Sequence, residues 1–247
     1  MTTKQVDVII VGAGPTGLTL ALELALYNIS FRILDKIPAP SDKSRALVVH
    51  PRSLELLRRH GVSDDLRDLG TIGTGMRVFV HKSRAAALDF TDLGIKHTEY
   101  PQPIWVSQAH TEGVLRNRLK QQGHEVEWNA AVEEIQQDNG GVDVVIAKGE
   151  SKEQIRCAYV VGCDGAHSVV RHAAGLSFEG APYPQDFFLC DARLEWDYMA
   201  KEGHHITMFS IDNAVLILFP MPDGIVRFIA SLNSGTLKNI PQWEPDH

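Results

Sequence analysis

The sequence predicts an α/β protein: a parallel sheet with helices and a β-meander crossover, accompanied by a second, mainly antiparallel β region. Three observations carry that expectation. An apolar run, Val6 to Val11, ends in a glycine-rich turn, and a helical pattern opens behind the proline that follows. The stretch "DNGG" at residues 138–141 separates two runs of strand character, "VEEIQQ" and "VDVVIA", which is a strong hairpin signal. From about residue 177 the chain is β-rich and includes "AVLILFPMPDGIVRFIASL", a second hairpin turning at Pro222, Asp223 and Gly224.

Each element has its own justification. The Val- and Ile-rich run at residues 6–11, apolar at all but Asp7, reads as a strand buried on both faces. Pro15 suits a first helical turn, where its missing N–H costs nothing. Leu18, Leu22, Leu24 and Ala25 then form an apolar face, and Asn28 stands where helices commonly end in a left-handed residue. A strand at residues 31–34 leads to Asp35, and a loop with two prolines and "SDKSR" follows. "HPRSLELLRRHG" predicts a helix with Pro51 in its first turn and Gly61 as its stop. "TIGTGMRVFV" leads into a strand, and the segment up to "YPQPIWV" reads as irregular structure with short β pieces. Residues 111–122 predict a helix closed by Gly123, followed by a strand in "HEVEWNA". A turn at residues 148–151 returns the chain into "IRCAYVVGCDG", an apolar strand ending in glycine. These elements assign residues 1–72 and 105–175 to the first region, and 73–104 and 176–247 to the second.

Composition narrows the function. With 44% hydrophobic and 22% charged residues the 247-residue chain has the means to bury a full core. A net charge of -7 argues against a nucleic-acid footprint or an anionic membrane as partner. The local cluster Arg52, Arg58 and Arg59 reads as a solvated helix face. Three cysteines, an odd count with no C-x-x-C, argue against a disulfide framework and for a reducing, cytoplasmic setting. Eleven histidines show no ligand spacing, so no metal site is expected. The first apolar run breaks at Gly12, too early for a membrane span.

The motif with chemical content is Gly12-Ala13-Gly14-Pro15-Thr16-Gly17. It completes G-x-G-x-x-G after a strand and before a helix, with an acid, Asp35, at the next strand end. Gly12 allows the tight turn, Gly14 lets backbone N–H groups approach a pyrophosphate, and Gly17 lets helix and strand pack. Asp35, with Lys36 beside it, is placed to meet ribose hydroxyls. The loop alone does not distinguish NAD, NADP and FAD.

Two further stretches, "SRALVVHPRSLELLRRHGV" and "VVGCDGAHSVVR", make the chain resemble the FAD-dependent aromatic hydroxylases, the single-component flavoprotein monooxygenases related to p-hydroxybenzoate and phenol hydroxylase. The family's second fingerprint, Cys-Asp-Gly-x-x-Ser-x-x-Arg, stands complete as Cys163, Asp164, Gly165, Ser168 and Arg171. The resemblance implies a Rossmann-like FAD-binding domain with a β substrate domain. It places Asp164 near the pyrophosphate, Arg45 along the cofactor, and Gln108 on the flavin side of the site. Asp35 takes a place usually held by Glu. The implied activity is hydroxylation of a small phenolic or aromatic substrate through a flavin C4a-hydroperoxide. FAD is the resident cofactor, and NADPH or NADH a transient reductant from a surface site.

No catalytic acid or base is singled out; Arg227 and Tyr183 are the candidates, and Met208, Phe209, Phe219, Met221 and Phe228 are candidate pocket residues. The family's third fingerprint, Gly-Asp-Ala-Ala-His, is absent from these 247 residues, so the chain reads as a C-terminally incomplete member. A second expectation therefore stands beside the enzyme: a flavoprotein remnant without hydroxylase activity, acting as a binding or interaction module. An NAD-dependent dehydrogenase is a lesser rival, disfavoured by the second fingerprint. Homo-oligomerisation is left open.

Overall fold

The computed structural model describes residues 6–41, 46–81, 83–92, 95, 97–181, 183–197, 203–211 and 214–232. Its first third contains β1 (Val6–Val11), α1 (Pro15–Leu26), β2 (Phe31–Leu34), β3 (Val48–Val49), α2 (Pro51–Arg58) and α3 (Val62–Leu69). Next come β4 (Thr71–Ile72), β5 (Gly75–Val80), β6 (Ser83–Asp89), β7 (Ile104–Trp105) and α4 (Gln108–Gln121). The meander is β8 (Ala131–Asp138), β9 (Gly141–Lys148) and β10 (Ser151–Gly162), followed by α5 (Val169–Ala173). The last strands are β11 (Asp186–Arg193), β12 (His205–Ile211), β13 (Ala214–Pro220) and β14 (Ile225–Leu232).

These elements form two compact units. The first comprises Met1–Ala46, Leu57–Asp65 and Ser107–Glu179. Its five-stranded sheet has the order β2-β1-β10-β9-β8. β1 pairs in parallel with both β2 and β10, while β9 is antiparallel to β10 and to β8. The apolar pattern explains the layers. Ile9, Ile10, Leu18, Leu22, Ile33 and Leu34 are all essentially inaccessible, and Leu115 and Leu119 of α4 join them. Arg32 on β2 bridges to Glu127 and Glu153, which ties the sheet edge to the meander; Lys148 also reaches Glu127.

The second unit comprises Leu47–Leu56, Leu66–Val106 and Gly180–His247. Its six-stranded sheet has the order β11-β14-β13-β12-β5-β6, antiparallel except for the parallel pair β12–β5; a small sheet, β3-β7-β4, accompanies it. Trp105 is 1% exposed and meets Phe90 and Phe219 edge-on. A Cβ on Gly73 would sit 2.1 Å from the Trp105 ring, so only glycine leaves room for the indole there.

Several expectations change on contact with the structure. The helix that opens at Pro51 ends at Arg58, and Gly61 is left-handed at φ 67° as a stop should be. The chain then re-enters a helix at Val62, because Leu66 and Val62 bury completely while Asp64 and Asp65 favour the first turn. The next helix begins at Gln108 rather than 111, since Ser107 Oγ accepts from the His110 N–H at 3.2 Å. No ladder forms in "HEVEWNA": its one strand-like feature is a single bridge between Leu34 and Glu127. Asn129 just beyond is left-handed at φ 53°, which a continuous strand does not accommodate.

Candidate functional site

The site is built where the ends of β2, β1 and β10 come together. The Gly12 N–H donates to Leu34 O at 2.8 Å, and the Cys163 N–H donates to Val11 O at 2.7 Å. These two bonds fasten the glycine turn between its neighbouring strand ends. Gly12 itself is left-handed at φ 100°, and a Cβ there would lie 2.5 Å from Cys163 O. At Gly17 a Cβ would lie 1.9 Å from Gly12 O. Both glycines are thus required by the protein's own packing. Gly14 differs: nothing lies within 4 Å of where its Cβ would be. The space beside it is open.

That space belongs to a cleft of about 300 Å³, which lies wholly within the first unit. Gly12, Gly14, Asp35, Lys36, Asp164 and His167 line it, with Ala130 and Val132 on the meander side. α1 begins at Pro15, directly after the cleft-lining Gly14, and no side chain caps its N-terminus. The Asp35 carboxylate accepts from the Ala13 N–H at 2.8 Å and from the Ile37 N–H at 3.1 Å. One oxygen is spent on each amide, and each keeps acceptor capacity for a ligand hydroxyl.

The second fingerprint shapes the opposite wall. Asp164 Oδ2 accepts from the Val169 N–H at 2.7 Å, and Ser168 Oγ accepts from the Arg171 N–H at 3.0 Å, so both side chains fasten the start of α5. Arg171 donates to Ala166 O at 2.9 Å and lies 4.9 Å from the centre of the Phe178 ring. Asp164 Oδ1 is buried and has no hydrogen-bond partner. A buried carboxylate oxygen without a donor is costly, and this one stands on the Gly162 side of the residue, 3.1 Å from where a Cβ there would lie. Burial, followed by the neighbouring Asp164 charge, pushes the Cys163 thiol up, so it is protonated at neutral pH and is no nucleophile.

Not every expected residue is gathered here. Gln108 stands at the first turn of α4 and donates to Glu112 at 2.8 Å; it is not among the residues lining the cleft. Arg45 lies outside the described residues. Ala130, Val132 and His167 line the cleft without having been singled out from sequence. The small side chains of "NAAV", following a left-handed Asn, were the available signal for the first two.

In the second unit Arg227 is 3% exposed and makes a two-pronged contact with Asp191, 2.7 Å at each prong. Tyr183 is 83% exposed. The aromatic and Met candidates divide by strand alternation. Phe219 and Met221 pack in the Trp105 cluster, and Met208 faces Ile217 of that cluster across the β12–β13 pair. Phe209 stacks on Phe79 from the other face of the sheet, the face that also carries Phe228. They do not form one wall. Among the described residues no cluster of His, Cys, Asp and Glu could hold a metal ion, and no helix is long and apolar enough to cross a membrane.

Comparison with known proteins agrees with this geometry. The family model described as FAD binding domain matches residues 5–235. The 12-dehydrotetracycline 5-monooxygenase/anhydrotetracycline 6-monooxygenase of Streptomyces rimosus subsp. rimosus is 36% identical over 203 residues, which is 80% of this chain and 38% of that protein. Pentachlorophenol 4-monooxygenase of Sphingobium chlorophenolicum is 31% identical over 181 residues, 72% of this chain and 33% of its own length. The crystal structure of p-nitrophenol 4-monooxygenase from Pseudomonas putida DLL-E4 shares the fold, with TM-score 0.84 at 24% identity over 96% of this chain and 60% of that one. The chain thus spans well under half the length of these curated relatives. It belongs to the FAD-binding domain family, closely related to the FAD-dependent monooxygenases of aromatic and phenolic compounds.

Proposed function

We propose that this chain carries the dinucleotide-holding part of an FAD-dependent aromatic hydroxylase, with a small phenolic or aromatic compound as substrate and NADPH or NADH as transient reductant. The observation that carries the reading is the convergence of Gly14, Asp35 and Asp164 on one cleft. The residues fit the cofactor. The open space at Gly14 and the uncapped start of α1 suit a diphosphate, and Asp35 and Asp164 offer acceptors to sugar hydroxyls. Lys36 and His167 on the rim supply basic side chains against the ligand's negative charge. Arg45 and Gln108 are proposed as further contacts on the strength of the family resemblance. When bound, the flavin supplies the redox and oxygen-activating chemistry; the protein's part is to bind, orient and exclude water. A reducing, cytoplasmic setting is proposed on the odd count of three cysteines with no C-x-x-C.

The experiment is flavin titration of the purified chain, followed by NAD(P)H oxidation with candidate phenols. The expected result is saturable FAD binding that weakens by about tenfold or more in Asp164→Ala, the worth of one hydrogen bond to a charged group. No binding, or binding unaffected by that change, overturns the reading. The alternative reading is a chain that docks FAD without turnover. FAD binding with reductant oxidation and a hydroxylated product separates the enzyme from it.

A further inference from the structure

In the first unit, α4 buries an acid that its ion pair compensates poorly. Glu112 is 9% exposed. The spacing of Gln108, Glu112 and Arg116 sets these three side chains in one row along the helix. Gln108 Nε2 donates to Glu112 Oε1 at 2.8 Å. On the far side Arg116 Nη1 stands 3.5 Å from Glu112 Oε2, longer than a good hydrogen bond, and that nitrogen is buried with no hydrogen-bond partner. Taking a carboxylate out of water is costly, and a long ion pair offsets little of the cost. Beside the buried Thr111, Val114 and Leu115, an apolar residue at this position would pack at lower cost.

What Glu112 does fix is the amide of Gln108. A glutamine amide has a donor end and an acceptor end of nearly the same shape, so its surroundings decide which way it points. A carboxylate beside it decides, because it takes the NH2 end and repels the carbonyl oxygen. Oε1 of Gln108 is thereby turned away from Glu112. The backbone of Gln108 is held as well: its N–H donates to Ala46 O at 3.0 Å, and Ala46 directly follows Arg45 in sequence. The two residues proposed above as further cofactor contacts thus belong to segments joined by a main-chain hydrogen bond.

We infer that Glu112 is a positioning residue: it holds the Gln108 amide with its NH2 end inward, so that Gln108 meets bound FAD as a hydrogen-bond acceptor, toward a donor group of the cofactor. This role depends on the proposed function, in which Gln108 is a cofactor contact. It accounts for an acid where packing alone favours an apolar side chain. Arg116 then has a part as well, offsetting some of the charge that the role requires. Glu112 itself acts only through Gln108.

Flavin titration in a double-mutant cycle tests this. Glu112→Gln keeps the size of the side chain but no longer selects one end of the Gln108 amide. FAD affinity is expected to fall about fivefold, while the flavin-free chain melts within about 5 °C of the parent. Gln108→Ala is expected to lose at least as much, and Gln108→Ala/Glu112→Gln no more than Gln108→Ala alone. In an Asp164→Ala background the loss from Glu112→Gln should add in full, because Asp164 and Glu112 share no partner. An acid with a merely structural role would add in both backgrounds. Undiminished affinity in Glu112→Gln overturns the inference, as does parent-like binding in Gln108→Ala or additive loss in the Gln108→Ala background. A parent chain that binds no FAD overturns the proposed function and this role with it. Binding that weakens in Asp164→Ala but not in Glu112→Gln overturns this role alone. If Glu112→Gln does not fold, Glu112→Asp, which draws the carboxylate back from the amide, goes through the same cycle with the same expected and overturning results.

Discussion

The two units treat their buried polar groups in opposite ways. In the second unit charges are closed on one another: Arg227 is held by Asp191 and Arg77 by Asp89, with His205 beside that pair. In the first unit, around the glycine turn, Asp164 keeps an oxygen without a donor and Gly14 keeps a space without an occupant. A closed pair contributes to holding the strands together; an open one costs stability until something binds. On the proposed function, the contrast falls between the unit that would receive the ligand and the one that would not. It also predicts that substitutions in the two units will separate stability from binding.

The largest effect is expected at Gly17. Valine there would drive its Cβ into Gly12 O, a backbone atom with no rotamer to escape through. The expected loss is about 4 kcal/mol or more, lowering the melting temperature by roughly 10 °C or more. A Gly17→Val protein that melts within a few degrees of the parent would show that the turn is loosely packed, and would remove the distinction drawn between Gly17 and Gly14.

In the second unit the Arg227–Asp191 pair should respond asymmetrically. Arg227 is 3% exposed at its side chain whereas Asp191 is 42% exposed. Asp191→Ala leaves a guanidinium buried without its carboxylate and is expected to cost about 3 kcal/mol. Arg227→Met leaves a carboxylate that water reaches, so about 1–2 kcal/mol is expected. Urea unfolding of both variants measures the difference. Equal losses, or the reverse order, would mean that the pair is not closed in the way described.

The legible parts of this molecule were those decided by short stretches of chain. Pro15 at a helix start, Asn28 at φ 54°, and the Asp138 to Gly141 hairpin all depend on neighbours in sequence. The packing roles of Gly12 and Gly17 were readable for the same reason. What was hidden depended on distant partners. Gly61 stops one helix, yet nothing local announced that Leu66 would find a buried seat and start another. The apolar residues of "HEVEWNA" suggested a strand, but Glu127 is claimed by Arg32, 95 positions away in sequence, and the segment joins the sheet by one bridge. Within the site, Asp164 was recognisable from its fingerprint, whereas the lining by Ala130 and Val132 follows from a left-handed Asn129 that only the folded chain fixes.

The Arg32 network sharpens the comparison from the first unit's own side, because it is closed although the cleft is not. Burial pushes Glu127 up, but hydrogen bonds from Arg32 and Lys148, with their charges, outweigh it and hold its carboxyl below the usual range. Hydrogen bonding to Arg32 likewise lowers Glu153. With folded values depressed, the unfolded chain binds more protons, so this stabilisation is present at neutral pH. It is lost as pH falls from the ordinary carboxylate value of 4.5 through the lowered ones. Glu127→Gln should cost about 1–2 kcal/mol at pH 7, discounted for partial exposure, and flatten the acid limb of the stability profile. An unchanged acid limb would take the network out of the stability account.

The smallest stability effect and the sharpest functional one are expected together at Gly14. Its backbone, φ -72° and ψ -176°, is open to any residue, and no atom of the chain meets an added Cβ. Gly14→Ala should therefore stay within about 1 kcal/mol of the parent, a slight loss as a helix cap offset by the stiffer unfolded chain. The methyl group would nonetheless stand in the cleft where the diphosphate is proposed to meet the main chain, so FAD retention should fall by about tenfold or more, the factor that 1.4 kcal/mol of lost contact produces. Paired melting and flavin titration read both quantities on one sample. Equal losses in the two would place Gly14 with Gly12 and Gly17 as a packing residue, and a free cradle would no longer distinguish the first unit from the second.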